Sequence, residues 1–153
     1  IGRAKAHLFQ TSKEITEKYA ADGIKAYISV NKALVTQSSA AIPIVPLYIS
    51  ILYKVMKEKG VHEGCIEQMY RLFAEKFGAD GKPVSGAVDG EGRIRLDDLE
   101  MKPEIQDEVT KLWNILNADN FKEYTDIEGY WKDFYELFGF GIDGVDYEAD
   151  VEV

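Results

Sequence analysis

An α/β fold, mostly helical with short strands, follows from three features of the sequence. Apolar residues recur at helical spacing along much of the chain, one stretch after residue 23 alternates with period two, and glycines or prolines mark many of the changes of pattern. A helix followed by a strand that ends in small hydroxyl residues is half of an α/β unit.

Ala4, Leu8, Ile15 and Tyr19 are spaced by four, seven and four residues, which puts them on one helical face. Gly23 follows as a left-handed stop. From Ile24 the period changes: Ile24, Ala26, Ile28 and Val30 are apolar, Lys25, Ser29 and Asn31 are polar, and Tyr27 suits either face. This pattern predicts a strand that runs on through Ala33, Leu34 and Val35 into the polar run Thr36, Gln37, Ser38, Ser39. Pro46 suits the first turn of a helix over residues 47–59, closed by Gly60. A second helix is predicted over residues 62–77, closed by Gly78. Residues 78–92 hold five glycines and Pro83 and read as a loop, and residues 93–96 read as a short strand. Pro103 opens a helix with Ile105, Val109, Leu112, Trp113 and Leu116 as its buried stripe. Asp126 caps a final aromatic-rich helix through Phe138, and a glycine-rich then acidic tail ends the chain.

The chain has 153 residues, 46% of them apolar, and this amounts to one ordinary domain with a core of its own. Disordered, collagen-like and disulfide-stapled classes are excluded, and the single cysteine, Cys65, fits a reducing compartment. With 18 Lys and Arg against 27 Asp and Glu, the formal net charge is -9, which disfavours nucleic acid as a partner. No basic-then-apolar leader is visible, and the most apolar segment, residues 40–53, is shorter than the about 20 residues of a spanning helix. It also carries Pro43, Pro46 and Ser50. No membrane partner and a cytoplasmic location are therefore expected. The segment itself reads as buried core or as the wall of a ligand pocket.

Three places invite a chemical reading. In residues 87–98, with Gly92 at the sharp turn, Asp89 and Glu91 fall at calcium-ligand positions, but Ala87 stands first and Asp98 last. A polar turn before a strand is the better reading, with a weak calcium site as the alternative. His62 and Cys65 have the spacing of a half metal site but no second pair, so no metal is expected, and Cys65 reads as a buried structural thiol. Lys54, Lys57 and Lys59 favour the dipole at a helix end, or else meet a phosphorylated ligand.

Several longer words say more. The runs IGRAK (1–5), SVNKALVTQ (29–37) and AIPIVPLY (41–48) resemble the trans-2-enoyl-CoA/enoyl-ACP reductase family. KVMKEKG (54–60), HEGCIEQ (62–68) and FGFGIDGVDY (138–147) are similar to it too, so the resemblance spans essentially the whole chain.

This resemblance implies a Rossmann-type, short-chain-dehydrogenase-like domain that reduces the 2,3 double bond of an enoyl thioester with NADH in fatty-acid metabolism. The family's catalytic pair is a tyrosine and a lysine nine residues apart. If Lys5 is that lysine, the tyrosine lies upstream of Ile1, as does the glycine-rich nucleotide loop. Residues 1–153 are then the C-terminal part of a single larger domain, with its N-terminal dinucleotide-binding part absent, and a first residue other than Met fits that expectation. By the same resemblance, Lys5 binds the cofactor ribose and lowers the tyrosine pKa, while Leu34, Val35 and Thr36 contact the nicotinamide side. The apolar stretch from Ile42 to Tyr53 lines the acyl pocket or packs the core. The expected partner is an enoyl thioester on CoA or acyl carrier protein, bound by a monomer, and the acidic surface mildly disfavours the acidic carrier. The reading from a different class is a non-catalytic acidic interaction module or weak calcium-binding domain.

Overall fold

The computed structural model describes residues 2–150. Ile1, the first residue of the first matching word, and the acidic end at 151–153 lie outside the described residues. In chain order the elements are helix α1 (Gly2–Lys18), a single 3-10 turn (Ala20–Asp22), strand β1 (Ile28–Val30), and helices α2 (Gln37–Ala40), α3 (Val45–Glu58) and α4 (Cys65–Glu75). Strand β2 (Arg93–Arg95) and helices α5 (Pro103–Ile115), α6 (Phe121–Tyr124) and α7 (Ile127–Glu136) follow. The chain forms two compact units. One holds the chain up to Lys32 together with Glu63–Asp98, and the other holds Ala33–His62 together with the chain from Leu99 onward.

In the first unit, β1 and β2 pair in parallel, with Ile28 opposite Arg93 and Val30 opposite Arg95. Leu72, Ile94 and Leu96 form the core of this unit, with Tyr27, Met69, Phe77 and Val88 packed on it. Tyr27 meets Phe77 edge-on at 6.2 Å between ring centroids. Gly23 closes the 3-10 turn at φ 74°, where a side chain would be strained. Leu8 and Ile15 on α1, and Tyr19 just after it, are exposed, and none of the helix's described residues is buried.

The strand is much shorter than the alternation suggests, because its backbone groups find partners outside a longer ladder at both ends. Ala26 N–H donates to the Thr16 hydroxyl at 3.0 Å. At the other end, the N–H groups of Leu96 and Asp97 both converge on the Val30 carbonyl, which closes the ladder. Residues 33–35 therefore lie beyond the strand and not within it.

The second unit is built around α3, whose Ile49, Ser50, Ile51, Leu52, Tyr53, Val55 and Met56 are all buried. A helix buried around so much of its circumference needs neighbours on two sides. On one side, Ile51, Leu52, Val55 and Met56 pack against Ile105, Val109 and Leu112 of α5. On the other, Ile49 and Tyr53 pack with Val35 and with Tyr130 of α7. Each such aliphatic side chain contributes roughly 1.5–3 kcal/mol by leaving water. Trp113 departs from the expected stripe and is 37% exposed, since one residue beyond Leu112 is a rotation of about 100° away from the core.

Asp126 caps α7 as expected, accepting from Gly129 N–H at 3.1 Å. Ile44, just before α3, has φ 69°, a left-handed conformation that strains a β-branched residue by roughly 1–3 kcal/mol. Helix α4 begins at Cys65 and not at residue 62, because the Glu67 carboxylate accepts Gly64 N–H at 3.0 Å and stops the helix there. Among the described residues, no helix is long and apolar enough to cross a membrane.

Candidate functional site

The segment that follows β1 belongs to no sheet, and side chains hold it in place of a neighbouring strand. Lys32 N–H donates to the Gln68 side chain at 3.2 Å, within the first unit. In the second unit, Ala33 N–H donates to Glu100 Oε2 at 2.7 Å and Val35 N–H to the Tyr53 hydroxyl at 3.3 Å. Thr36 N–H donates to Ser39 Oγ at 2.8 Å, while Ser39 N–H returns a bond to Thr36 Oγ1 at 3.0 Å. Ser39 Oγ also donates to the Leu34 carbonyl at 2.8 Å. A buried backbone without a ladder must find such substitutes.

Leu34, Val35 and Thr36 are thus consecutive in one ordered stretch, with Leu34 and Val35 buried and Thr36 acting as the N-cap of α2. Helix α2 stands where the sequence suggests only a polar strand end. The Thr-x-x-Ser spacing of Thr36 and Ser39 is a reciprocal-cap signal that the alternation obscures. Lys5 lies in the other unit, on α1, exposed and without an ion pair to any described residue.

Two tyrosines of α3 support this stretch. Burial first, and then the hydrogen bond to the Glu100 carboxylate, push the Tyr48 hydroxyl above its ordinary value, so it stays protonated and donates to Glu100 Oε1 at 2.6 Å. Burial and the Asp133 carboxylate likewise raise Tyr53, against the opposing pull of Val35 N–H. Glu100 and Gln68 are absent from the candidates read from sequence, and Tyr53 enters there only as the end of the apolar stretch, not as a holder of Val35. Nothing in local periodicity connects residues 18 to 67 positions apart.

The remaining candidates resolve individually. Residues 42–53 divide in two: Ile49, Ile51, Leu52 and Tyr53 are core, while Ile44 is 66% exposed and Val45, Leu47 and Tyr48 are half-buried. A pocket wall from this stretch is therefore confined to its first half. Asp89 accepts N–H groups from Glu91 and Arg93 and pairs with the Arg93 guanidinium at 2.8 Å, as a polar turn requires. Among the described residues, no group of three or more metal-type side chains gathers at one point. Lys54 pairs with Glu58 at 2.9 Å and Lys57 with Asp126, so two of the three cluster lysines have structural partners.

Cys65 corrects the expectation of a buried thiol. It is exposed on α4, beside Ile66, Tyr70 and Phe73, because the buried face of that helix belongs to Gln68, Arg71 and Leu72. In the 153-residue chain, a thiol-disulfide reagent is expected to modify Cys65 without denaturant, at a rate close to that of the unfolded chain. Protection until unfolding contradicts its placement.

Comparison with known proteins reads across these elements. Residues 1–77 match the family described as trans-2-enoyl-CoA reductase catalytic region, and residues 88–151 match the enoyl reductase FAD binding domain. The chain is 56% identical over its full length to a trans-2-enoyl-CoA reductase [NADH] of Ruminiclostridium cellulolyticum, covering 38% of that protein. It is also 56% identical over its full length to an enoyl-[acyl-carrier-protein] reductase [NADH] of Coxiella burnetii, covering 37% of it. The chain thus spans under two-fifths of the length of these relatives.

Among solved structures, trans-2-enoyl-CoA reductase from Clostridium acetobutulicum in complex with NADH superposes with a TM-score of 0.90 at 49% identity, over 99% of this chain and 38% of that one. The Treponema denticola trans-2-enoyl-CoA reductase in complex with NAD gives 0.87 at 46% identity, over 98% of this chain and 37% of that one. The elements described here are thus part of an α/β fold. With its family model covering residues 1–77 of the 153, the chain belongs to the trans-2-enoyl-CoA reductase family.

Proposed function

We propose that residues 1–153 are the C-terminal part of a single larger reductase domain that reduces the 2,3 double bond of a trans-2-enoyl thioester with NADH. The observation that carries the reading is similarity along the whole of this chain, at 56% identity, to part of two relatives whose names both specify NADH and an enoyl substrate. The local chemistry is compatible with it. On Val35, which is 5% exposed, the N–H is already engaged by Tyr53, while the carbonyl receives no hydrogen bond from the described residues. A carboxamide N–H is the donor such a carbonyl takes, so the segment fits the nicotinamide end of the cofactor. Leu34 and Thr36 flank that contact.

When bound, NADH supplies a hydride to the β-carbon of the enoyl thioester. Charge then develops on the thioester oxygen, where a hydroxyl donor stabilises it most effectively. That donor is a tyrosine nine residues before Lys5. The Lys5 ammonium holds the cofactor ribose and favours the ionised form of that tyrosine by its positive charge. Residues 42–48 offer apolar surface to the acyl chain. The substrate is carried on CoA or acyl carrier protein, and the working enzyme is a cytoplasmic monomer with no nucleic-acid or membrane partner.

The reduction proposed here uses NADH alone and assigns no flavin to the stretch matched to the FAD binding domain. Its buried side chains Ile94, Leu96, Ile105, Val109, Leu112 and Tyr130 are committed to the cores of the two units.

The test is steady-state NADH consumption with crotonyl-CoA. The full-length enzyme is expected to turn over, and the 153-residue chain alone is expected to show none, because tyrosine and nucleotide loop lie outside it. A full-length protein that leaves NADH unchanged overturns the function, and turnover by the short chain overturns the role given to Lys5.

A further inference from the structure

We propose that Glu100 is a positioning residue of the reductase, one carboxylate that ties the cofactor-side segment to the acyl-side helix. The inference rests on the function proposed above and extends it to a residue outside the matched words. Glu100 is 7% exposed. A carboxylate this far from water must be held by hydrogen bonds. Its two oxygens are divided between the two halves of the site: Oε2 takes Ala33 N–H at 2.7 Å, and Oε1 takes the Tyr48 hydroxyl at 2.6 Å.

Gln106 on α5 locks the arrangement from behind. Its Nε2 donates to the Glu100 carbonyl at 2.9 Å and to the Tyr48 oxygen at 3.3 Å. Ala33 directly precedes the Leu34–Val35–Thr36 contact, and Tyr48 stands on the half-buried first turns of α3 that face the proposed acyl chain.

Because peptide units are planar, a held N–H also aims the carbonyl of the preceding residue. Glu100 fixes the peptide unit entering the segment, Tyr53 the unit between Leu34 and Val35, and Ser39 the unit carrying the Val35 carbonyl. Without a strand neighbour, these bonds set the path of the segment. Bonds to an ionised carboxylate are about twice as strong as neutral ones, which makes the Glu100 anchor the firmest of the three. Removing it loosens the residues that receive the nicotinamide while leaving Lys5 and the upstream tyrosine untouched.

The test is the kinetics of the full-length enzyme with Glu100→Ala and Glu100→Gln, varying NADH and crotonyl-CoA separately and following thermal unfolding in parallel. Glu100→Ala is expected to raise KM for NADH about tenfold, the equivalent of one lost hydrogen bond to a charged group, with a smaller fall in kcat. Glu100→Gln keeps an acceptor for Ala33 N–H, and its KM for NADH is expected to rise only about threefold.

A merely structural role lowers the unfolding temperature and the active fraction while KM for NADH stays within twofold of wild type, and that result overturns the proposal. If Glu100→Ala does not fold, Glu100→Gln decides alone, and an unchanged KM for NADH again overturns it. A wild-type enzyme that does not consume NADH sinks the reductase function together with the role of Glu100. Wild-type turnover with unaltered variant KM values sinks only the latter.

Discussion

Replacing Lys5 by alanine in the full-length enzyme is expected to lower kcat/KM for enoyl reduction by about two to four orders of magnitude, with thermal stability unchanged. The magnitude follows from the chemistry. In the proposed mechanism the lysine supports a tyrosine acting at the developing oxyanion, and groups that act as a unit lose most of their effect when one is removed. Unchanged stability follows from the structure, since Lys5 is exposed on a helix without buried described residues and carries no ion pair to a described group.

Lys5→Arg keeps the charge but replaces a compact ammonium by a planar fork, so partial activity is expected, between wild type and alanine. The measurement is NADH consumption with crotonyl-CoA alongside a melting curve. A Lys5→Ala enzyme with near-normal turnover would make this lysine ordinary helix surface. A variant that is inactive but also unfolded would assign Lys5 to structure.

The second large effect falls on stability, in the first unit. Arg71 donates from Nε to Glu63 at 2.6 Å, from Nη2 to Glu63 at 2.9 Å and to the Leu96 carbonyl at 2.8 Å, and it pairs with Asp98 at 2.8 Å. The side chains of Arg71 and Glu63 are only 10% and 13% exposed. Arg71→Ala leaves the Glu63 carboxylate largely buried with a single Gln68 N–H at 3.1 Å, and also strips a donor from the chain just after β2. Uncompensated buried charge of this kind costs about 3–5 kcal/mol. Chemical unfolding monitored by circular dichroism measures it, and a loss below about 1 kcal/mol contradicts the role of Arg71 as the tie between α4 and β2.

The same cluster sets a pH dependence. Burial works against the Asp98 charge, but Arg71 and Lys76 outweigh it and hold the carboxyl below the usual range. A carboxyl lowered in the folded state adds stability that is complete above the unfolded value of about 4 and lost as pH falls through the folded one. Wild-type stability is therefore expected to fall below about pH 4, and the Arg71→Ala curve to be flatter there.

Which parts of this architecture are legible in the sequence depends on how local their causes are. Helices α3, α5 and α7 are set by spacing, by Pro46 and Pro103 near their starts and by the Asp126 cap, all within a few residues. Strand β1 and the exposure of Cys65 are set elsewhere. The alternation from Ile24 describes which residues dislike water, but not whether a neighbouring strand is long enough to pair with all of them. Cys65 shares a helix with Ile66 and Met69, yet the side turned inward is chosen by the polar grip of Gln68 and Arg71 on the Leu96 carbonyl.

The site shows the same division. Leu34, Val35 and Thr36 can be named through the resemblance of the run around them. The groups that hold the backbone of Ala33 and Val35, Glu100 and Tyr53, lie beyond β2 and on helix α3, where no local pattern points back to this segment.

The side-chain scaffold of that segment has a consequence for biogenesis. Ala33 and Val35 wait for partners 67 and 18 residues later in the chain. A ribosome adds about 5–20 residues per second, so several seconds pass between the emergence of Ala33 and that of Glu100. During that interval the segment can be shaped by Ser39, Tyr53 and Gln68 but not by Glu100, and its final geometry is set after α4 and β2 have already been synthesised. The segment proposed to meet the nicotinamide is thus among the late-maturing parts of this chain, and a nascent chain halted before residue 100 carries the motif without its Glu100 anchor.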